Sequence, residues 1–90
     1  MDYYTTDFRL FNRGQNLCLG MNVHIPYEGK YIPFYLECRA HPSEDSGYHA
    51  VPEEKTLAYI SDEGIRNKVR EVAKTDGTLY LNTDRDDFVY

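Results

Sequence analysis

The sequence predicts a small α+β domain, a small antiparallel β-sheet with one amphipathic helix packed on one face. The sheet is expected as a meander of about three N-terminal strands plus one or two C-terminal strands. Three observations carry this. Two consecutive segments alternate apolar and polar residues with period two, a short turn separates them, and a later segment carries apolar residues at helical spacing. With 90 residues, the chain is expected to form a single domain, residues 1–90.

Residues 17–25 form the clearest strand. Leu17, Leu19, Met21, Val23 and Ile25 alternate with Cys18, Gly20, Asn22 and His24, the pattern of a half-buried strand. Residues 31–40 alternate in the opposite parity, with Ile32, Phe34, Leu36, Cys38 and Ala40 on the apolar side. Bringing the two apolar sides together pairs Ile25 with Ile32, Val23 with Phe34 and Met21 with Leu36. That register leaves Tyr27-Glu28-Gly29-Lys30 as a two-residue hairpin turn. It also places Pro26 and Pro33 at non-hydrogen-bonded sites, where neither breaks the ladder. Because Pro33 offers no donor on its far side, strand three is an edge there or its next neighbour stops short of it. Residues 4–10 give a weaker strand, with Tyr4, Thr6, Phe8 and Leu10 on one side. Pairing Leu10 with Leu17 and Phe8 with Leu19 implies a four-residue loop, Asn12 to Gln15, closed by Phe11 and Asn16.

The second half reads as loop, helix, strand and tail. Residues 41–54 contain Pro42, Ser43, Ser46, Gly47 and Pro52 and are expected as a loop. Residues 56–60 suggest a short strand. Ser61 is a candidate helix N-cap, with Asp62 and Glu63 in the first turn. Ile60 and Ile65 stand at staple positions around it. Ile65, Val69, Val72 and Ala73 form the apolar stripe, and Gly77 is expected to stop the helix. Thr78 to Leu81 reads as another strand, followed by an acidic turn at residues 82–87 and the apolar end Phe88-Val89-Tyr90.

Composition narrows function by exclusion. Hydrophobic residues at 41% and charged residues at 28% argue against wholesale disorder. No apolar run is long enough for a membrane span, and the N-terminus lacks the pattern of a signal peptide. A cytoplasmic location is the expectation. The net charge of −5 lies wholly in residues 41–90, where eleven acids face six bases; residues 1–40 balance four against four. Such a chain suits a basic protein partner better than nonspecific nucleic-acid or membrane binding.

Two cysteines are too few for a disulfide framework. Cys18 and Cys38 fall on neighbouring strands with their side chains on opposite faces, so no bond joins them. Cys38, His41 and His49 offer metal-ligand chemistry in a spacing that matches no standard zinc site. His41 or His49 with Glu44 or Asp45 offers acid–base chemistry, but no catalytic motif frames it. No cofactor, no metal site and no catalytic residue is therefore assigned. Arg66, Arg70 and Lys74 recur every four residues as the one basic stripe, a candidate site for a phosphate-bearing ligand. Asp84, Asp86 and Asp87 cluster in the acidic turn, a surface for a basic partner.

Nine of the thirteen aromatics are tyrosines, and tyrosine favours interfaces because it joins a large rigid ring to a polar tip. Tyr27, Tyr31 and Tyr35 are expected together on the non-core face. The leading expectation is thus a non-enzymatic, acidic binding protein that inhibits or regulates a basic protein, nucleic-acid-binding proteins included. Its contacts are Tyr27, Tyr31, Tyr35, Asp84, Asp86 and Asp87. In size, acidity and tyrosine content it resembles the general type of small phage-encoded antagonists of host defence, anti-CRISPR proteins included. The first alternative is a small-ligand or nucleotide-binding oligomer that uses the basic stripe, a homodimer being one form. The second is a metal-dependent hydrolase centred on residues 38–49.

Overall fold

The computed structural model describes residues 2–44 and 47–83. Strands β1 (Tyr4–Arg13), β2 (Asn16–Tyr27), β3 (Lys30–Pro42) and β4 (Tyr48–Pro52) precede helices α1 (Glu54–Leu57) and α2 (Glu63–Asn82). The strands form one antiparallel sheet in the order β1-β2-β3-β4. The long helix α2 packs on one side of it, chiefly against β4, β3 and β2.

The central hairpin takes the expected register. Ile25 faces Ile32, Val23 faces Phe34, Met21 faces Leu36, and Tyr27 and Lys30 close the turn. Glu28 and Gly29 have φ of 51° and 78°, the two positive values of a type I′ turn, whose twist matches that of the strands. β4 pairs only with Cys38 to Pro42, so it does stop short of Pro33.

β1 departs from its expected pairing. Leu10 faces Leu19, Asn12 faces Leu17, and the hairpin closes at Arg13 and Asn16. The loop is therefore two residues, not four: Gly14 takes φ 64°, which only a residue without Cβ adopts freely. The slip by two keeps Leu10 on the core side. A bulge between Thr6 and Arg9, with Asp7 at φ 60°, then inserts one residue. The extra residue reverses the alternation. Phe8 and Leu10 join the core, while Tyr4 and Thr6 pass to the other face.

The second half also rearranges. Residues 41–54 are not all loop, because Tyr48–Pro52 forms β4. Residues 56–60 are not a strand: α1 ends there at Leu57. Asp62, one residue after the expected Ser61, caps α2 by accepting a hydrogen bond from the Ile65 amide at 2.9 Å. The helix does not stop at Gly77, and no strand forms at 78–81. Val69, Val72, Ala73, Gly77, Tyr80 and Leu81 are all buried on one side of α2. Their spacing of three and four residues is one uninterrupted helical stripe, so Tyr80 and Leu81 gain more burial by continuing the helix than by leaving it.

The core lies between sheet and helices. Leu19, Met21, Val23, Leu36 and Cys38 meet Leu57, Ile60, Val69, Val72 and Ala73. Tyr80 stacks on Phe8 with ring centroids 4.5 Å apart. No helix among the described residues is long and apolar enough to cross a membrane.

Candidate functional site on the open sheet face

A single long helix covers one face of the sheet, and among the described residues no element covers the opposite face. Alternation along paired strands assigns its residues. From β1 come Tyr4, Thr6, Arg9, Phe11 and Arg13; from β2, Cys18, Gly20, Asn22 and His24; from β3, Tyr31, Tyr35, Glu37 and Arg39. Tyr4, Tyr31 and Tyr35 are exposed, Tyr31 by about half.

Two clusters hold these side chains in place. In the first, Tyr35 lies across Gly20, where a Cβ would stand 2.6 Å from the tyrosine oxygen. Arg9 Nη2 donates to that oxygen at 2.9 Å, and the hydroxyl donates to Glu37 Oε2 at 3.0 Å. Arg13 Nη1 closes the chain on Glu37 Oε1 at 2.6 Å. Both guanidiniums sit over the Phe11 ring, 5.1 and 5.2 Å from its centroid, within cation–π range. The Arg13 hydrogen bond holds the Glu37 carboxyl below the usual glutamate range, and partial burial pushes the Tyr35 phenol up.

In the second cluster, Tyr4 stacks on His24 at 4.3 Å and meets Tyr31 edge-on at 5.0 Å. Thr6 Oγ1 and His24 Nε2 are hydrogen-bonded at 2.7 Å. Asn22 donates to Asp7 Oδ2 at 2.8 Å and Thr6 to the same oxygen at 3.1 Å, which holds the Asp7 carboxyl low. The arrangement offers aromatic rings with fixed polar tips and two guanidiniums already oriented, so little side-chain freedom is left to lose on contact.

Tyr31 and Tyr35 therefore stand on the open face. Tyr27 does not join them. Its pairing with Lys30 puts it on the side of Ile25 and Ile32, at the exposed tip of the hairpin, because strands two and three carry opposite parity. Asp84, Asp86 and Asp87 lie outside the described residues. Tyr4, Arg9, Phe11, Arg13, Gly20 and His24 belong to the site but do not stand out in the sequence as contact residues. The polar half of the strand-two alternation marked Gly20 and His24; on β1 the bulge hid Tyr4.

The basic stripe is partly consumed by the fold. Arg66 Nη1 donates to the Ile60 carbonyl at 2.7 Å. Arg70 grips Glu54 through Nε and Nη2 at 2.8 and 2.7 Å, tying α2 to α1. Lys74 borders a shallow cleft of about 480 Å³ with His49, Val51 and Arg70, where Glu54 and Glu71 offset the positive charge.

Cys38 does not join His41 and His49. Cys38 points into the core, and burial pushes its thiol up to about 12. His41 and His49 face each other across β3 and β4 with rings 5.1 Å apart, on the side of the sheet opposite Cys38. Both cysteines are free and buried, with Cys18 facing Arg39 and Cys38 facing Leu19, so their side chains leave opposite faces as the register required. Comparison with known proteins finds no matching family model, curated protein or solved structure.

Proposed function

We propose that the chain is a non-enzymatic binding protein that inhibits or regulates a protein partner, and that the open face of its sheet is the contact surface. One observation carries this reading. The core and both helices lie on one side, while the other side holds Tyr35 hydrogen-bonded to Arg9 and, through Glu37, linked to Arg13, with Tyr31 packed edge-on against Tyr4 nearby. Tyrosine and arginine are the residue types most concentrated at interface hot spots, where truncating one commonly costs about 2 kcal/mol or more. The net charge of −5 favours a basic partner, drawn in over long range. Asp84, Asp86 and Asp87 contribute to that steering.

The test uses affinity capture from lysate with wild-type, Tyr31→Ala and Tyr35→Ala baits, followed by binding kinetics on whatever protein is retained. Tyr31→Ala should accelerate dissociation. Reversal of Asp84, Asp86 and Asp87 to lysine should slow association, with an effect that shrinks as salt rises. Thermal midpoints of the variants serve as the control for folding. A partner that binds both tyrosine variants with wild-type rates overturns the assignment of this face.

A further inference from the structure

The four-stranded sheet has three stretches of outer backbone, and two carry side-chain caps and a proline. At β4, Asn82 Oδ1 accepts from the Tyr48 amide at 2.8 Å and its Nδ2 donates to the Tyr48 carbonyl. Thr78 Oγ1 accepts from the Ala50 amide at 2.9 Å, and Pro52 has no amide hydrogen to offer. On β3 beyond the end of β4, Tyr59 donates to the Tyr35 carbonyl at 2.8 Å, the Glu37 amide donates to Thr56 Oγ1 at 3.1 Å, and Pro33 again lacks a donor. β1 is the remaining edge. Its hairpin closes at Arg13 and Asn16, so Arg9, Phe11 and Arg13 turn their backbone groups towards β2. Leu10 turns its N–H and C=O outward. No strand lies beyond it among the described residues.

We propose that β1 is a self-pairing edge. Two copies of the chain join β1 to β1 antiparallel about a two-fold axis at Leu10, making one eight-stranded sheet. The side chains favour a second copy as occupant and separate this register from its two neighbours. With Leu10 opposite Leu10, Arg9 faces the partner's Phe11 and Arg13 faces the partner's Asp7, each twice by symmetry. All four residue types lie on the open face, and Asp7 is directed there by its bonds to Asn22 and Thr6. A guanidinium against an aromatic ring and a guanidinium against a carboxylate are both favourable cross-strand neighbours. Centring the axis on Phe11 instead opposes Arg9 to Arg13, and centring it on Arg9 opposes that residue to itself; both put like charges together. On the other face Leu10, only partly buried in the single chain, packs against its symmetry mate. Side-chain caps and prolines on the other edges and a self-complementary edge here are the features that separate a pairing strand from a blunted one.

The test needs a change that leaves every side chain in place. Cys18 permits it: a synthetic peptide of residues 1–17 carrying N-methyl-Leu10 can be ligated to a fragment that begins at Cys18. The wild-type chain should pass, as concentration rises from micromolar to millimolar, from the 10.6 kDa monomer to twice that mass by sedimentation equilibrium. Its Leu10 amide should become protected from hydrogen exchange over the same range. N-methylation should return the mass to that of the monomer with circular dichroism unchanged, and Arg13→Asp should do the same. Added salt should weaken the wild-type dimer, because the corner ion pairs are screened. A chain that stays monomeric at every concentration overturns the proposal. So does a dimer whose Leu10 amide exchanges freely, or one that survives N-methylation.

Discussion

Gly77 sits inside α2, and replacing it with alanine opposes two effects of known size. Removing a glycine from a helix interior stabilises by about 1 kcal/mol. The new Cβ, however, would stand 2.9 Å from Ala50 Cβ, 3.0 Å from Met21 Cε and 3.4 Å from Leu19 Cδ2. The methionine tip can swing aside. Ala50 Cβ cannot, because it is fixed to the backbone of β4, whose amide is in turn held by Thr78 of the same helix. Overpacking a closed core costs about 1–3 kcal/mol. The middle of that range less the helix gain leaves a net loss of about 1 kcal/mol, or a fall in Tm of about 4–8 °C for a domain of this size. Thermal and urea denaturation followed by circular dichroism measure it. Ala50→Gly in the Gly77→Ala background should recover part of the loss, a coupling that a double-mutant cycle isolates. A Tm that rises in Gly77→Ala would refute the close approach of helix and sheet, and with it the placement of β4.

Asn82→Ala removes the partners of the Tyr48 amide and carbonyl and should cost about 1–2 kcal/mol, read as a lower urea midpoint at unchanged m. The depressed Glu37 carboxyl should make the stability gap between wild type and Glu37→Gln pH-dependent. A group held low in the folded state stabilises fully above its ordinary value of 4.5, and that stabilisation is lost as pH falls through the folded value. Thermal midpoints of both chains between pH 7 and pH 3 should therefore converge at the acid end; a constant gap would refute the Arg13 pairing. Cys38, its thiol pushed up to about 12 by burial, should alkylate at pH 8 only as fast as the chain opens, so its rate should track unfolding in low urea.

The alternation of residues 17–25 and 31–40 by itself determines the central hairpin, to the residue. Period two, opposite parity and two prolines leave one register that buries both apolar faces, and a slip by one would expose every apolar residue. The core side of β2 and β3, the opposite faces of Cys18 and Cys38, and the placement of Tyr31 and Tyr35 away from the helix all follow from that register. The sequence also locates the start of α2 within one residue, since the acids and the first apolar positions of a helix are local signals. What it leaves undecided depends on contacts between distant segments. Whether Gly77 ends a helix is a local question only when the chain beyond has nothing to bury; here Tyr80 finds Phe8 across the sheet, and the helix runs on. Whether residues 48–52 form a strand depends on a free stretch of β3 and on Thr78 and Asn82 to close the new edge. The bulge at Asp7 is the clearest case. One inserted residue moves Tyr4 and Thr6 to the open face, where Tyr4 meets His24 and Tyr31 from two other strands, contacts that no local pattern announces.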